Sequence, residues 1–303
     1  MSVTSVAAAL EALRAYRPEE IDEGLRFLHE RLAGLEGAEL RAATEAICTL
    51  FYVDTQDRPD LLPSLDLAAK ALASVGPRIV SHLLELMQGS DIKSHFHLAR
   101  TLGLIGRPAL AALRRFIATE DDPYSRSFAL FAVGKIRDPE VRDALPEVIG
   151  SLMHSDKEVR DSAARAVGKI AANVPAELVS ELQRAEIFEA LVRTLSDRHS
   201  AVRAKAVRSL GKVVRAGYLT PEREERVRTA ILRILGRDEA FEWDRAYIVR
   251  REAEEALAQL EARIRSGAAR TPRGRSPRKP GRHRRTRPRR GDAAKSHDRI
   301  RRS

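Results

Sequence analysis

The sequence predicts an all-α fold, an α-solenoid (superhelix) of about seven stacked helical hairpins, followed by a tail of different character. Three observations predict it. The stretch SDKEVRDSAARAVGKI at 155–170 returns as SDRHSAVRAKAVRSLGKV at 196–213, 43 residues later at the matched positions. Within each copy the apolar residues recur at helical spacing. At about 100° per residue, Val202, Ala206, Val207, Leu210, Val213 and Val214 fall inside one stripe about 140° wide. No stretch shows the period-2 alternation of a half-buried strand.

Along the chain, MSVTSVAAALEALRAYRPEE lacks a basic start and meets acidic residues early, so it reads as a first helix rather than a secretory signal. A faint copy of the repeat lies at ELRAATEAICTLF, and looser ones at LLPSLDLAAKALASVG and SDIKSHFHLARTLGLIG. Three closer copies follow. DDPYSRSFALFAVGKI carries Arg126, Ala129, Val133, Gly134 and Ile136 in the frame of Arg160, Ala163, Val167, Gly168 and Ile170. The 196–213 copy places Arg203, Ala206, Leu210, Gly211 and Val213 there, and YIVRREAEEALAQL places Arg250, Ala253, Leu257, Ala258 and Leu260. The small residues Ala73, Gly103, Gly134, Gly168, Gly211 and Ala258 mark the period, which lengthens from 30 residues to 47. Upstream of these helices lie second apolar stretches such as ALPEVIGSLMH and EIFEALVRTLSD, each ending near an Asp-containing turn. No such hairpin buries its face alone, whereas stacked neighbours share one core.

The net charge of +11 is unevenly placed. Residues 266–303 hold 15 Lys and Arg against Asp292 and Asp298, so residues 1–265 are net −2. The expected division is a solenoid over 1–265 and a basic Arg/Pro-rich tail over 266–303. One cysteine, Cys48, excludes a disulfide framework and a Cys-rich metal site, and reads as a packed core residue. His95 and His97, two positions apart, point to different sides of a helix, which argues against paired metal ligation. No phosphate loop, HExxH or serine elbow is present. We therefore expect no metal, no cofactor and no catalytic residue. No apolar run is long enough to cross a bilayer. Arg outnumbers Lys 45 to 9 in an Ala-rich chain, as in proteins of GC-rich bacterial genomes, and the expected location is cytoplasmic, with nucleoid association through the tail.

Asp, then Val-Arg, then Ala, then Leu/Val-Gly-x-Ile/Val resembles the HEAT repeat, and is particularly similar to the short HEAT-like repeats of phycobilisome lyases. The likeness covers roughly residues 40–262. It implies a curved superhelix that binds partners along its surfaces. It also implies that Arg126, Arg160, Arg203 and Arg250, with Asp122, Asp156, Asp197 and Asp244 four to six positions upstream, form a structural inter-repeat ladder. Helical geometry agrees, because Arg203 projects into the apolar stripe, where a guanidinium needs a carboxylate or carbonyl partner. The opposite face of the same helix carries Lys205, Arg208, Lys212 and Arg215 within about 80°. No acidic residue lies between Arg198 and Gly217. Arg165 and Lys169 extend the face, diluted by Glu158 and Asp161. A solvated face is the plain reading, and an auxiliary patch for an anionic partner the sharper one.

The tail has one apolar residue larger than Ala, Ile300, so it is expected to be disordered in isolation. Its candidate nucleic-acid-binding residues are Arg273, Arg275, Arg278, Lys279, Arg282, Arg284, Arg285, Arg287, Arg289 and Arg290. PRGRSPRK is similar to an AT-hook with Ser276 inserted before Pro277, and SPRK to the basic repeats of linker-histone tails. Electrostatic binding of duplex DNA is favoured over RNA, and membrane insertion is disfavoured. The sequence thus points to a non-catalytic scaffold or adaptor that binds a protein partner through its solenoid and nucleic acid through its tail. Two alternatives stand beside it. One is a HEAT-like enzyme or enzyme-accessory protein, resembling alkylpurine DNA glycosylases or bilin lyases, for which a basic cleft around Trp243 would speak. The other is a purely protein-binding adaptor with a solubilising tail.

Overall fold

A computed structural model describes residues 3–89, 91–240 and 242–270. Proline at the first helical positions and short polar caps start most of the helices. Ser5, Asp91, Asp122, Asp156, Ser180 and Thr220 each accept a hydrogen bond from a backbone N–H of the following first turn. Gly106 (φ 76°) and Gly217 (φ 77°) turn the chain after two of the helices, in a region that side chains with a Cβ rarely enter.

The helices form hairpins. The first pairs α1 (Val6–Ala12) with α2 (Pro18–Arg31), and the second α3 (Gly37–Cys48) with α4 (Leu62–Val75). Then come α5 (Val80–Gly89) with α6 (Ile92–Ile105), and α7 (Arg107–Thr119) with α8 (Pro123–Val133). The last three are α9 (Leu145–Ser151) with α10 (Lys157–Asn173), α11 (Glu181–Thr194) with α12 (Ser200–Arg215), and α13 (Pro221–Ile234) with α14 (Tyr247–Arg270). That makes seven hairpins and no strand among the described residues. The second helices α2, α4, α6, α8, α10, α12 and α14 pack one on the next in a continuous row, and the first helices α5, α7, α9, α11 and α13 form a parallel row. This is the predicted α-solenoid.

The apolar stripe read from the sequence lies in the core. Val202, Ala206, Val207, Leu210, Val213 and Val214 are all buried. Each fully buried Val or Leu contributes about 1.5–3 kcal/mol over leaving it exposed. The glycine markers set how closely the second helices approach. A Cβ on Gly168 would lie 3.0 Å from Ser209 Cα. Only a hydrogen side chain allows α10 and α12 to meet there, and Ser209 Oγ then donates to the Ala164 carbonyl at 2.7 Å.

One expectation is corrected. The faint repeat at ELRAATEAICTLF is not a second helix. It forms α3, the first helix of its hairpin, with Arg41 3.3 Å from Glu85 and Glu45 3.2 Å from His82, both on α5 of the same row. The second helix of the opening hairpin is α2, which packs on α1 and α4, buries Ile21, Leu25 and Leu28, and lacks the Val-Arg and Gly-x-Ile marks. The hairpins therefore begin at Val6.

Candidate functional site

The arginines in the apolar stripe bridge successive hairpins. Arg160 Nε and Nη2 donate to the two carboxylate oxygens of Asp197 at 2.6 and 3.1 Å, while Nη1 donates to the carbonyls of His154 and Ser155, both at 2.8 Å. Arg203 repeats this with Asp244 at 2.6 and 2.9 Å, and its Nη1 donates to the Asp197 carbonyl at 2.8 Å. The carboxylates are fixed in turn. Asp156, Asp197 and Asp244 accept from the amides of Glu158, His199 and Ala246 at 2.7, 2.8 and 2.9 Å. Burial alone would push the Asp197 and Asp244 carboxyls up, but the guanidinium and amide donors outweigh it and hold both below the usual carboxylate range.

The ladder has ends. Arg250 donates to the carbonyls of Asp244 and Arg245 at 2.6 and 3.1 Å. Arg126 donates to the Glu120 carbonyl and, among the described residues, pairs with no carboxylate. Asp122 caps α8 through the Ser125 amide at 2.7 Å.

The outward face of the second helices holds the most concentrated charge. Counting from the ladder position, side chains two, five and nine residues on recur in register across the repeats. On α8 and the turn after it they are Phe128, Phe131 and Lys135; on α10, Ser162, Arg165 and Lys169; on α12, Lys205, Arg208 and Lys212; on α14, Glu252, Glu255 and Gln259. A hollow of about 300 Å³ opens between the first three of these helices, lined by Lys135, Arg165, Lys169, Lys205, Arg208 and Lys212. Its floor is apolar, made by Leu130, Phe131 and Ala166.

Of the patch residues expected from the sequence, Lys205, Arg208 and Lys212 line this hollow, and Arg215 stands outside it, one turn beyond Lys212. Arg208 is not a free cation. Its Nε donates to Glu252 Oε2 at 2.7 Å, and Glu252 is 2% exposed and also accepts from Arg251 at 3.2 Å. Lys169, Lys205 and Lys212 pair with no carboxylate among the described residues. Burial, then the charges of Lys169, Arg208, Arg215 and Arg165, bring Lys212 down to about 8. Lys135 is lowered too, by burial first and then by Lys169, Arg100, Arg137 and Arg165. Burial pushes the Asp161 carboxyl beside Arg165 up, against the pull of Lys205 and Arg165.

Other candidates fall elsewhere. Trp243 is 62% exposed and packs against Gly236 of its own hairpin. It borders a hollow of about 790 Å³ whose ionisable lining is Glu222, Glu225, Glu242 and Asp244 against Arg226 and Arg233. That hollow is acidic, and Asp244 is already held by Arg203. His95 Nε2 lies 2.6 Å from the Met87 carbonyl, and His97 stacks on Phe51 with ring centroids 5.1 Å apart. No cluster of three His, Cys, Asp or Glu side chains suited to a metal occurs among the described residues. Burial, with a contribution from Glu45, pushes the Cys48 thiol up to about 12, far from a reactive thiolate. No helix among the described residues is long and apolar enough to cross a membrane. The tail cations from Arg273 to Arg290 lie outside the described residues.

Residues 116–184 match the sequence profile of HEAT repeats, and residues 161–213 that of a HEAT-like repeat. The centre of the chain carries HEAT repeats. Among solved structures the chain is similar to importin beta, with 17% identity, 85% of this chain and 36% of that one covered, and a TM-score of 0.54. It is also similar to Kap121p, with 11% identity, 87% and 30% coverage and a TM-score of 0.55. The chain thus spans about a third of the length of each. A phycocyanin lyase complex of CpcE and CpcF from Nostoc sp. PCC7120 aligns with 18% identity, 59% and 97% coverage and a TM-score of 0.48. No curated protein sequence matches. HEAT-type solenoids are typical protein-binding scaffolds, because stacked repeats present extended surfaces. In this helical array Arg160 and Arg203 are occupied between units, whereas the cations two, five and nine positions on line the hollow.

The sequence reading missed Lys135 as a member of the patch and Glu252 as the partner of Arg208. The register itself was the available signal, since adding the local period to Lys169 leads back to Lys135 and forward to Lys212.

Proposed function

We propose that the protein is a non-catalytic scaffold that binds a protein partner along the row of second helices and nucleic acid through residues 266–303. The observation that carries the reading is the separation of roles within each second helix. On α10 and α12 the ladder guanidiniums are consumed by a carboxylate of the next hairpin and carbonyls of their own turn, while Lys169, Lys205 and Lys212 on the outward register are left for a partner. Nucleic-acid binding rests on the charge of residues 266–303, which hold 15 Lys and Arg against two Asp. Phosphate contacts of this kind act through counterion release, so affinity depends steeply on salt. Duplex DNA is the preferred polyanion.

The test compares the full chain with a full-length variant in which the ten cations from Arg273 to Arg290 are changed to Gln. Duplex-DNA affinity is measured across a salt titration. The reading expects tight, steeply salt-dependent binding by the first and its loss in the second. Equal binding by both would move the nucleic-acid surface to the solenoid.

A further inference from the structure

We propose that the basic hollow between α8, α10 and α12 is a docking site for an acidic peptide segment of the partner protein, with an aromatic or aliphatic residue at its α6 end. The proposal rests on the scaffold reading and gives that partner a chemistry.

Charge is the first argument. Six cations line the hollow and no carboxylate does. Lys169, Lys205 and Lys212 lack an ion-pair partner among the described residues. Half-burying like charges together is unfavourable unless an anion joins them. The depressed Lys212 and Lys135 record that cost. A carboxylate arriving there would meet charge-assisted donors already held in place by packed helices.

Length is the second. Packed helices lie about 8–10 Å apart, so crossing from α8 to α12 takes roughly 20 Å. An extended peptide covers that in about six residues, at about 3.3–3.6 Å each.

The flanks are the third, and they separate a peptide from a nucleic acid. Beyond α12 the cations of this register end, because α14 carries the buried Glu252, already paired with Arg208, then the exposed Glu255 and the neutral Gln259, and Glu255 would repel a phosphate backbone continuing along the row. Toward α6 the surface offers an apolar contact beside Arg100, whose charge is met by Asp66: Phe96 is 44% exposed and its ring lies 5.5 Å from that of Phe131. A short ligand with acidic residues and one apolar anchor fits this sequence of surfaces, whereas a uniform polyanion does not. The chain's own residues 266–303 are net positive, so the hollow repels them and the occupant comes from another protein.

The probe is a fluorescein-labelled peptide, acetyl-Phe-Glu-Glu-Asp-Glu-Glu-amide, titrated by anisotropy into the full chain, with its Gln/Asn isostere as the uncharged control. The double variant K169E/K212E keeps residues 266–303 intact, so any peptide bound through that segment is common background. K157E, on an exposed position at the start of α10 and outside the hollow, controls for a charge reversal on the same helix. Melting curves establish that each variant is folded, and K169Q/K212M replaces K169E/K212E if reversal unfolds the protein. The expected result is a loss of about tenfold or more in peptide affinity for the double variant, no change for K157E, and no binding of the isostere.

Wild-type affinity in the folded double variant overturns the proposal. So does a double variant that loses duplex-DNA affinity and keeps peptide affinity, which would make the hollow a nucleic-acid surface. In either case the tail-variant titration still decides the scaffold reading separately.

Discussion

Arg203 on α12 donates from Nε and Nη2 to both carboxylate oxygens of Asp244, at 2.6 and 2.9 Å, and so ties the sixth hairpin to the turn between the two helices of the seventh. The same guanidinium closes its own hairpin turn through the Asp197 carbonyl. One side chain thus holds two units in register, and both partners are mostly buried.

Arg203→Ala leaves the Asp244 carboxylate without its guanidinium. We expect a loss of about 2–3 kcal/mol of stability, read as a lower Tm or urea midpoint. Arg250→Ala loses only two carbonyl acceptors at the end of the ladder and should cost less. If both variants melt with the wild type, the ladder is not structural. The coupling is also pH-dependent. Asp197 and Asp244 are held below their unfolded values, so their contribution is complete above about pH 4 and is lost as pH falls through the folded values. Asp244→Asn should flatten the acid limb of the stability curve; an unchanged acid limb would contradict the assignment.

Gly168 and Gly150 give opposite expectations for the same change. At Gly168 a new Cβ meets Ser209 Cα at 3.0 Å and crowds its side chain, so Gly168→Ala must separate α10 from α12 and should cost about 1–3 kcal/mol. At Gly150, inside α9, a Cβ meets nothing within 4 Å. Gly150→Ala there gains helix propensity and should stabilise by about 0.5–1 kcal/mol. Parallel thermal melts check both, and a destabilised Gly150→Ala would show that α9 is packed differently.

What could be read from the sequence follows from what a solenoid repeats. Arg160 and Arg203 make the same bonds one unit apart, so their positions carry the period and stand out in a single chain. Gly168 and Gly211 do likewise, because each faces the next helix closely. The opening hairpin was not legible, since α2 packs on α1 and α4 without the ladder arginine, and its close glycine, Gly24, meets α1 of its own hairpin rather than the next second helix. The hollow was half legible. Its members lie on three repeats whose spacing changes from 34 to 43 residues, so Lys135, Lys169 and Lys212 do not look periodic until the ladder positions align them. Glu252 stayed hidden because it occupies a position that holds Lys205 one unit earlier, and nothing in one helix says that the next will answer its charge.

Trp243 is the chain's only tryptophan and lies largely exposed against Gly236 in the last hairpin. It therefore reports on that hairpin alone. In a linear array units open separately, and Trp243 sits on a solvent-exposed segment. We expect the fluorescence transition in urea to come at or below the midpoint of the helical signal, and its emission to be readily quenched by acrylamide. A protected, late-melting Trp243 would mean that the final hairpin is covered.

Lys212 offers a test in which stability and binding move in opposite directions. Its folded value, about 8, lies below the ordinary 10.5, because of burial and then of Lys169, Arg208, Arg215 and Arg165. Across the helix pair α14 contributes Glu252 and Glu255, and Glu252 is already held by Arg208. Between about pH 8 and 10.5 the unfolded chain binds a proton that the folded chain does not, so stability rises with pH there. Below about pH 8 the full penalty of the buried charge is present. Lys212→Met removes it, and should raise the Tm near pH 7 by an increment that fades as the pH approaches 10.5. The same variant should bind the acidic peptide more weakly, since the group that destabilises the hollow is the one that holds the ligand. A variant that loses stability near pH 7 would place Lys212 in a satisfied network, and the hollow would have no anion to wait for.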